Sequence, residues 1–224
     1  MRGIVAMCGM AIAVAAVGAH DFGTNPPTWN REVSRLVYDR CASCHREGGG
    51  AFPLITYQDV QPRAVAIKEA VMARRMPPWG AVKGFGDFRN DQGLTQEQIE
   101  IIVDWVEGGM LKGNNPRVRP DPPTFKSEAV PAPSTKGLIV RGPHTLSTAM
   151  TVDGILPDRV PDATQMQIVA ALPDGRIEPL LWLYEYRNAY RHPFLFRRPL
   201  TLPAGTMIRG VPASAAIRLL QVTR

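Results

Sequence analysis

The sequence predicts an α+β protein of two domains, a small all-α domain followed by an all-β sandwich. Three observations lead to this prediction. Amphipathic segments with helical spacing occur within residues 20–112. Residues 137–224 instead contain short apolar or alternating runs separated by Pro and Gly turn signals, a pattern typical of strands. Between them, residues 113–136 contain six prolines and no periodicity, which predicts an extended linker.

Three segments of the first half are predicted to be helices. The first covers residues 28–40, and Thr28 is its expected N-cap. The second covers residues 62–75 and ends before a proline pair, because the residue before a proline avoids helical backbone angles. The third begins at Thr95, where Gln98 three residues later completes a capping box.

Five runs of the second half are predicted to be strands of a sandwich. They are bounded by turn signals such as Pro-Asp-Gly and Pro-Ala-Gly, which favour tight reversals between strands. The runs are residues 137–142, 165–172, 176–186, 206–211 and 215–223.

Residues 1–19 are predicted to be a signal peptide or an N-terminal membrane anchor. Arg2 is the only charged residue before Asp21, and the residues between them are apolar or small. Small residues at 17–19 precede a plausible cleavage point, as in secretory signal peptides. The apolar run of about 17 residues is also at the lower limit for crossing a bilayer, so residues 3–19 are alternatively a membrane tether. Both alternatives predict a periplasmic location or the outer face of the cytoplasmic membrane.

Composition and charge restrict the classes of protein further. Of 224 residues, 45% are hydrophobic and 21% charged, which supports packed cores and argues against wholesale disorder. The net charge is +6, and it resides in residues 113–224, where Arg187, Arg191, Arg197 and Arg198 cluster. These arginines form a solvated face or, alternatively, a docking patch for an acidic partner or anionic lipid. No nucleic-acid-binding motif accompanies them, so nucleic acid is not expected as a partner.

The segment Cys41-Ala42-Ser43-Cys44-His45 has the C-x-x-C-H spacing that attaches c-type haem. Two thiols at this spacing can add to the two vinyl groups of one porphyrin, and the adjacent imidazole then lies under the iron. A thioredoxin-like site would need a βαβ setting, which is not predicted here. A zinc site would need a second cysteine pair, and no cysteine follows Cys44.

The second axial ligand is predicted to be Met76. It stands directly before Pro77-Pro78-Trp79, and a proline-braced loop at a helix end can hold a thioether rigidly. Thioether ligation raises the reduction potential relative to a second histidine and favours electron transfer. The other candidates are Met72, which is expected in the core, and Met110, His144 and His192.

Residues 28–112 resemble a small class I cytochrome c, and are most similar to a branch with an MPPW motif at 76–79 and a GFGDFRND loop at 84–91. The resemblance implies one covalently bound haem c. It also implies a proximal histidine whose other nitrogen is oriented by a backbone carbonyl. The roles implied are thioether anchors Cys41 and Cys44, proximal ligand His45, carbonyl donor Pro53, distal ligand Met76 and haem contact Trp79.

The second half resembles the C-terminal sandwich of copper type II, ascorbate-dependent monooxygenases, over residues 172–186 and 194–210. Those enzymes bind copper through a His-x-His segment, and the equivalent residues 157–162 contain no histidine. Met166 remains, with His144 and His192 as the domain's histidines. The resemblance therefore implies a sandwich that has lost its metal.

The predicted function is that of an exported mono-haem cytochrome that transfers single electrons to and from redox protein partners. It would act as a free carrier or as the haem subunit of a membrane-associated complex, with the β-domain as a docking module. No acid–base pair or substrate site is evident, so an enzyme is not favoured. The alternatives are a copper-dependent monooxygenase with a fused haem donor, and a haem-based gas sensor in which Met76 dissociates.

Overall fold

The structure, a computed structural model, describes residues 26–125 and 136–222. The predicted signal peptide or anchor at 1–19 lies outside the described residues, as do residues 126–135 of the predicted linker. Within the described ranges, no helix has the length and apolar character needed to cross a bilayer.

Short helices make up the first part of the chain. A π-helical turn at Trp29–Val33 leads directly into α1 (Ser34–Arg40). Helix α2 (Tyr57–Val60) continues through a 3-10 turn at Gln61–Arg63 into α3 (Ala64–Met72), and α4 is Gln96–Glu107. The three predicted helices are confirmed, although the second is shorter than predicted.

Threonine side chains begin three of these elements, two of them, Thr28 and Thr95, as the sequence predicts. The Thr28 hydroxyl accepts a hydrogen bond from the Arg31 N–H, and the Thr95–Gln98 capping box forms with both reciprocal bonds. Thr56 forms a second capping box with Asp59 at the start of α2. Each box satisfies backbone N–H groups that have no partner inside the helix.

The second part of the chain forms two antiparallel four-stranded sheets. One sheet has the strand order β1-β8-β3-β6, and the other has the order β2-β7-β4-β5. The strands are β1 (Gly137–Val140), β2 (His144–Thr145), β3 (Met150–Arg159), β4 (Met166–Ala171), β5 (Ile177–Leu183), β6 (Phe194–Leu202), β7 (Met207–Arg209) and β8 (Ala216–Gln221).

The five predicted strand segments are confirmed as β1, β4, β5, β7 and β8, but β2 and β6 were not predicted, and neither was the central strand β3. It pairs with β8 on one side and β6 on the other. Its register shifts between Val152 and Gly154 and again between Pro157 and Arg159. These irregularities interrupt the alternation by which a strand is recognised in sequence.

Two hydrophobic cores form. The helical core is built around Trp29 and Trp105, whose ring centroids are 6.5 Å apart. The sandwich core lies between the sheets, and it also contains Trp79 and Phe88, which precede α4 in the chain. Both of these side chains are 4% exposed.

The loop at residues 79–90 therefore packs with the sandwich. Phe88 forms a β-bridge with Phe196 of β6, and Ala81 forms one with Leu183 of β5. Gly86 sits so close to β5 that a Cβ atom there would lie 2.6 Å from the Leu180 carbonyl oxygen.

The predicted fold class, a small all-α cytochrome domain followed by an all-β sandwich, is wrong. The described chain is mostly β, with short helices and two four-stranded antiparallel sheets. The reason lies in the loop that joins α3 to α4. Its aromatic side chains need burial, and the sandwich core provides it.

Candidate functional site

The two motif cysteines lie in a tight turn at the C-terminal end of α1. The N–H groups of Cys41 and Ala42 both donate to the Val37 carbonyl at 2.9 Å, which closes the helix. The N–H groups of Cys44 and His45 then donate to the Cys41 carbonyl, at 3.2 and 2.9 Å. This turn brings both thiols and the imidazole onto one short, internally hydrogen-bonded segment.

Both thiols are free, and they differ in environment. Cys44 is exposed, whereas Cys41 is half-buried and packs against the helical core. Burial is the main cause that raises the pKa of the Cys41 thiol to about 12, and the nearby negative charge of Asp39 adds to the effect. Cys41 is therefore a neutral thiol at neutral pH.

The His45 ring is oriented by a backbone carbonyl. Its Nδ1 lies 2.9 Å from the carbonyl oxygen of Phe52, and the Leu54 N–H donates back to the His45 carbonyl at 3.0 Å. The Phe52 ring also contacts the imidazole edge, at 4.8 Å between centroids. The carbonyl predicted for this role was that of Pro53, one residue later. With Nδ1 donating to Phe52, Nε2 has no hydrogen-bond partner among the described residues.

Met76 is half-buried and lines a cavity of about 490 Å³. The wall of the cavity comes from three places: the end of α3 with the following loop, the start of α4, and the end of β5. The lining includes Val71, Met76, Trp79, Leu94, Ile99 and Trp182. Trp79, a predicted haem contact, is thus part of this wall as well as of the sandwich core.

Residues 41–45 do not line this cavity, but two connections link them to it. Val71, Leu94 and Ile99 of the cavity wall belong to the helical core against which Cys41 packs. In addition, the Arg40 guanidinium donates a 3.0 Å hydrogen bond to the Asp91 carbonyl. The Asp91 carboxylate in turn accepts from the N–H of Gly93, another lining residue.

The other candidate methionines occupy different surroundings. Met72 was expected in the core, but it is 57% exposed at the end of α3. Met110 packs partly against the helical core, and its backbone has a left-handed φ of 57°. Its carbonyl accepts a 2.9 Å hydrogen bond from the Tyr57 hydroxyl.

The residues considered for copper are spread over the sandwich. Met166 is buried in β4, and His144 lies on the short strand β2 opposite Ile208 of β7. His192 packs on Trp79 instead. Within residues 26–125 and 136–222, no group of three His, Cys, Asp or Glu side chains could hold a metal ion. Loss of the copper site stays a prediction.

His192 was considered only as a metal ligand, and its contact with the methionine loop was missed. Its ring stacks on Trp79 at 5.0 Å with an interplanar angle of 17°, and it also contacts Phe194 at 4.5 Å. Burial is the largest influence on this ring and lowers the pKa of His192 below its usual value of 6.5. Nothing in the local sequence signals a contact across more than a hundred residues.

The predicted arginine cluster divides into paired and unpaired members. Arg191 lies 3.8 Å from Asp158, and Arg197 lies 2.9 Å from Asp87. Arg187 and Arg198 are exposed and have no ion-pair partner in the described part of the chain. A 3-10 turn at Asn188–Tyr190 separates Arg187 from Arg191, so these two do not share the face of one strand.

Arg187 instead lines a small cleft with two arginines from the end of α3. Arg74 and Arg75 supply one side of the cleft, and Arg187 and Tyr190 supply the other. Arg74 also lines the cavity beside Met76. Glu185 lines both the cleft and the cavity, so the cleft has three positive side chains and one negative side chain.

Comparison with family models, curated proteins and solved structures gives no match to this chain. Two free thiols at C-x-x-C spacing and an imidazole with one nitrogen held are the donor types that a covalently attached haem uses, whereas the Met76 thioether lies beside a cavity that residues 41–45 do not line.

Proposed function

We propose that this protein carries one covalently attached haem c and transfers single electrons. The observation that carries the proposal is the hydrogen bond from His45 Nδ1 to the Phe52 carbonyl, beside two free thiols. A metal-bound histidine characteristically donates a hydrogen bond from its other ring N–H to such an acceptor. This arrangement leaves Nε2 as the nitrogen available to a metal.

Four side chains would hold the haem. Cys41 and Cys44 would form the thioether bonds, His45 would be the proximal ligand and Met76 the distal one. The haem supplies an iron that gains and loses one electron reversibly. A thioether ligand in apolar surroundings gives the haem iron a higher reduction potential than a second histidine ligand exposed to water would give.

The Phe52 carbonyl controls the chemistry of His45. The hydrogen bond that it accepts from Nδ1–H keeps the imidazole in one tautomer and one orientation, and it raises the basicity of Nε2. The orientation is reinforced because Phe52 and Leu54 bond to the ring and backbone of His45 within one short turn.

One part of the cavity wall beside Met76 is apolar and would limit the access of water there. Val71, Leu94 and Ile99 are each 5% exposed or less, and they belong to the packed helical core. Charged side chains, Arg74, Lys83 and Glu185, also line the cavity. Limited access of water would reduce competition for the thioether and strengthen local electrostatic effects.

The proposed partner is an acidic redox protein that docks on the surface of Arg74, Arg75 and Arg187. Complementary charge speeds association and orients the partner as it approaches. Arginine and tyrosine are also the residues enriched in protein interfaces, and Tyr190 at this cleft is 44% exposed. Because Arg187 and Tyr190 come from the sandwich, the β half contributes part of the docking surface.

The apolar run at residues 3–19 supports export to the periplasm or to the outer face of the cytoplasmic membrane.

Attachment is tested by producing the full chain with its leader in cells that have haem-ligation machinery. The expected product is heavier by one haem, and the haem resists extraction with acidified acetone. The Cys41→Ala, Cys44→Ala double variant should lose the haem, whereas His144→Ala should keep it. Release of haem from the wild-type chain by this extraction would contradict the proposal.

A further inference from the structure

The loop that follows Met76 is buried in the sandwich rather than in the helical core. Trp79, three residues after Met76, is 4% exposed. Its ring lies 4.9 Å from Phe194 and 5.8 Å from Phe88, both in the sandwich core. The anchor of the methionine loop is therefore aromatic packing with Phe194 of β6 and with Phe88 of the same loop.

His192, two residues before β6, is the fourth ring of this aromatic group. Its ring is nearly parallel to Trp79, and its Nδ1 lies 3.2 Å from the Pro193 carbonyl. One side chain that follows β5 thus stacks on the indole of the methionine loop.

The next residues of the loop are held by β5. The Val82 N–H donates to the Trp182 carbonyl at 2.8 Å, and the Tyr184 N–H donates to the Gly80 carbonyl at 3.1 Å. Residues 79–82 are consequently held by His192 through the Trp79 ring and by β5 and the residue after it through the backbone. On the other side of Met76, the Met76 N–H donates to the Ala70 carbonyl at 3.3 Å.

We infer that His192 is a positioning residue for Met76, holding the thioether through the indole of Trp79. The inference rests on the proposed function, in which Met76 is the distal ligand. The sandwich then has a role of its own: it is the support that places the second axial ligand. A ligand displaced by about 1 Å loses much of its function, and supporting contacts of this kind set that position.

A copper-binding role for His192 is not favoured by these contacts. The ring stacks on Trp79, contacts Phe194 at 4.5 Å between centroids, and its Nδ1 lies 3.2 Å from the Pro193 carbonyl oxygen. No three-residue metal-ligating group includes it in the described ranges.

The test compares two His192 variants with the wild-type haem protein. His192→Ala removes the ring and its hydrogen bonds, and His192→Phe keeps the stacking but removes the N–H donor. In both, haem content should match the wild type, since residues 41–45 are untouched. The weak red absorption band of an iron–sulfur bond should be largely lost in His192→Ala and partly retained in His192→Phe, and the reduction potential should fall in the same order. His144→Ala, a half-buried histidine at the sandwich edge, is the control and should change neither property.

A second measurement does not need haem. In the Cys41→Ala, Cys44→Ala background, adding His192→Ala should speed amide hydrogen exchange in residues 79–82 about tenfold and leave residues 99–106 of α4 unchanged. If His192→Ala changes neither the iron–sulfur absorption band nor the amide hydrogen exchange of residues 79–82, the inference is overturned. Absence of covalent haem from the wild type would instead refute the proposed function, and the exchange experiment would still show whether His192 holds the loop.

Discussion

The guanidinium of Arg40 donates a 3.0 Å hydrogen bond to the backbone carbonyl of Asp91, across 51 residues of sequence. Arg40 directly precedes Cys41, and Asp91 precedes the stretch Gly93-Leu94 that lines the cavity beside Met76. This bond therefore connects the end of α1, where the motif begins, to the cavity wall.

Replacing Arg40 should test this connection. Arg40→Ala is expected to lower the free energy of unfolding by about 1–2 kcal/mol, because a hydrogen bond from a charged donor to a partly buried acceptor is lost. Urea titration of the full chain measures the change. Arg46→Ala is the matched control, since Arg46 donates to the nearby Ser43 carbonyl on an exposed turn. If the two substitutions lower the free energy of unfolding equally, the hydrogen bond to Asp91 stabilises the protein no more than the contacts of Arg46 do.

The methionine ligand can be identified by two substitutions on the same segment. Met76→Ala should remove the iron–sulfur absorption band and lower the reduction potential, because the distal thioether is lost. Met72→Ala should do neither, since that side chain is 57% exposed. A band that persists in Met76→Ala would transfer the ligand role to Met110.

Gly86 tests the contact between the loop and β5. Its φ is +83°, and an added Cβ would lie 2.6 Å from the Leu180 carbonyl oxygen. Gly86→Ala should lower the free energy of unfolding by about 2–4 kcal/mol through backbone strain and displacement of the loop from β5. Gly84→Ala separates the two causes, because Gly84 has φ +85° with open space around its Cβ position. The Gly84 variant should lose only about 1 kcal/mol; equal losses would mean that the contact with β5 contributes nothing.

The lowered pKa of His192 predicts a pH dependence of stability. Burial lowers the pKa of this ring in the folded state below its unfolded value of 6.5, so the unfolded chain binds the proton more tightly. The stabilisation is complete above pH 6.5 and is lost as the pH falls from 6.5 through the folded-state pKa. The free energy of unfolding should therefore fall in this range, by at most about 1.4 kcal/mol per pH unit.

His192→Phe isolates this contribution from that of the carboxylates. The variant cannot bind the proton, so the wild-type curve should fall more steeply than the variant curve below pH 6.5. Parallel curves from pH 7 to pH 5 would contradict the assignment to His192.

The docking surface predicts a salt-dependent association rate. Arg187→Glu should slow electron transfer with a small acidic redox protein at low ionic strength, and the difference should shrink as salt is added. The haem potential should be nearly unchanged, because residue 187 is exposed and outside the cavity wall. Arg176→Glu makes the same change in net charge at the other end of β5, where Arg176 already pairs with Asp174. Equal slowing by both variants would indicate a net-charge effect without a defined docking surface.

Several features of the candidate site could be predicted from sequence because they are local. The C-x-x-C-H motif brings its donors together within one turn, and its spacing is visible without a fold. The boundaries of α4 depend on Thr95 and Gln98, which satisfy backbone groups three residues apart. Haem attachment and electron transfer themselves stay predictions.

The position of the orienting carbonyl was predicted to within one residue, with Phe52 in place of Pro53. The proline marks the turn, but the direction of each carbonyl depends on the backbone angles of that turn. Similarly, the arginines 187–198 are adjacent in sequence, yet their acidic partners Asp158 and Asp87 lie far away along the chain. Proximity in sequence could not show which charges were neutralised.

The sequence by itself determined the motif, the helix starts and five of the strands, because each depends on neighbours within a few residues. The tertiary structure decided where the methionine loop is buried. An apolar residue such as Trp79 signals that it needs a core, but both cores are apolar, and local pattern does not distinguish them. The choice followed from long-range packing, in which His192 and Phe194 surround the indole and β5 binds the adjacent backbone. For that reason the predicted all-α domain was wrong even though its helices were placed correctly.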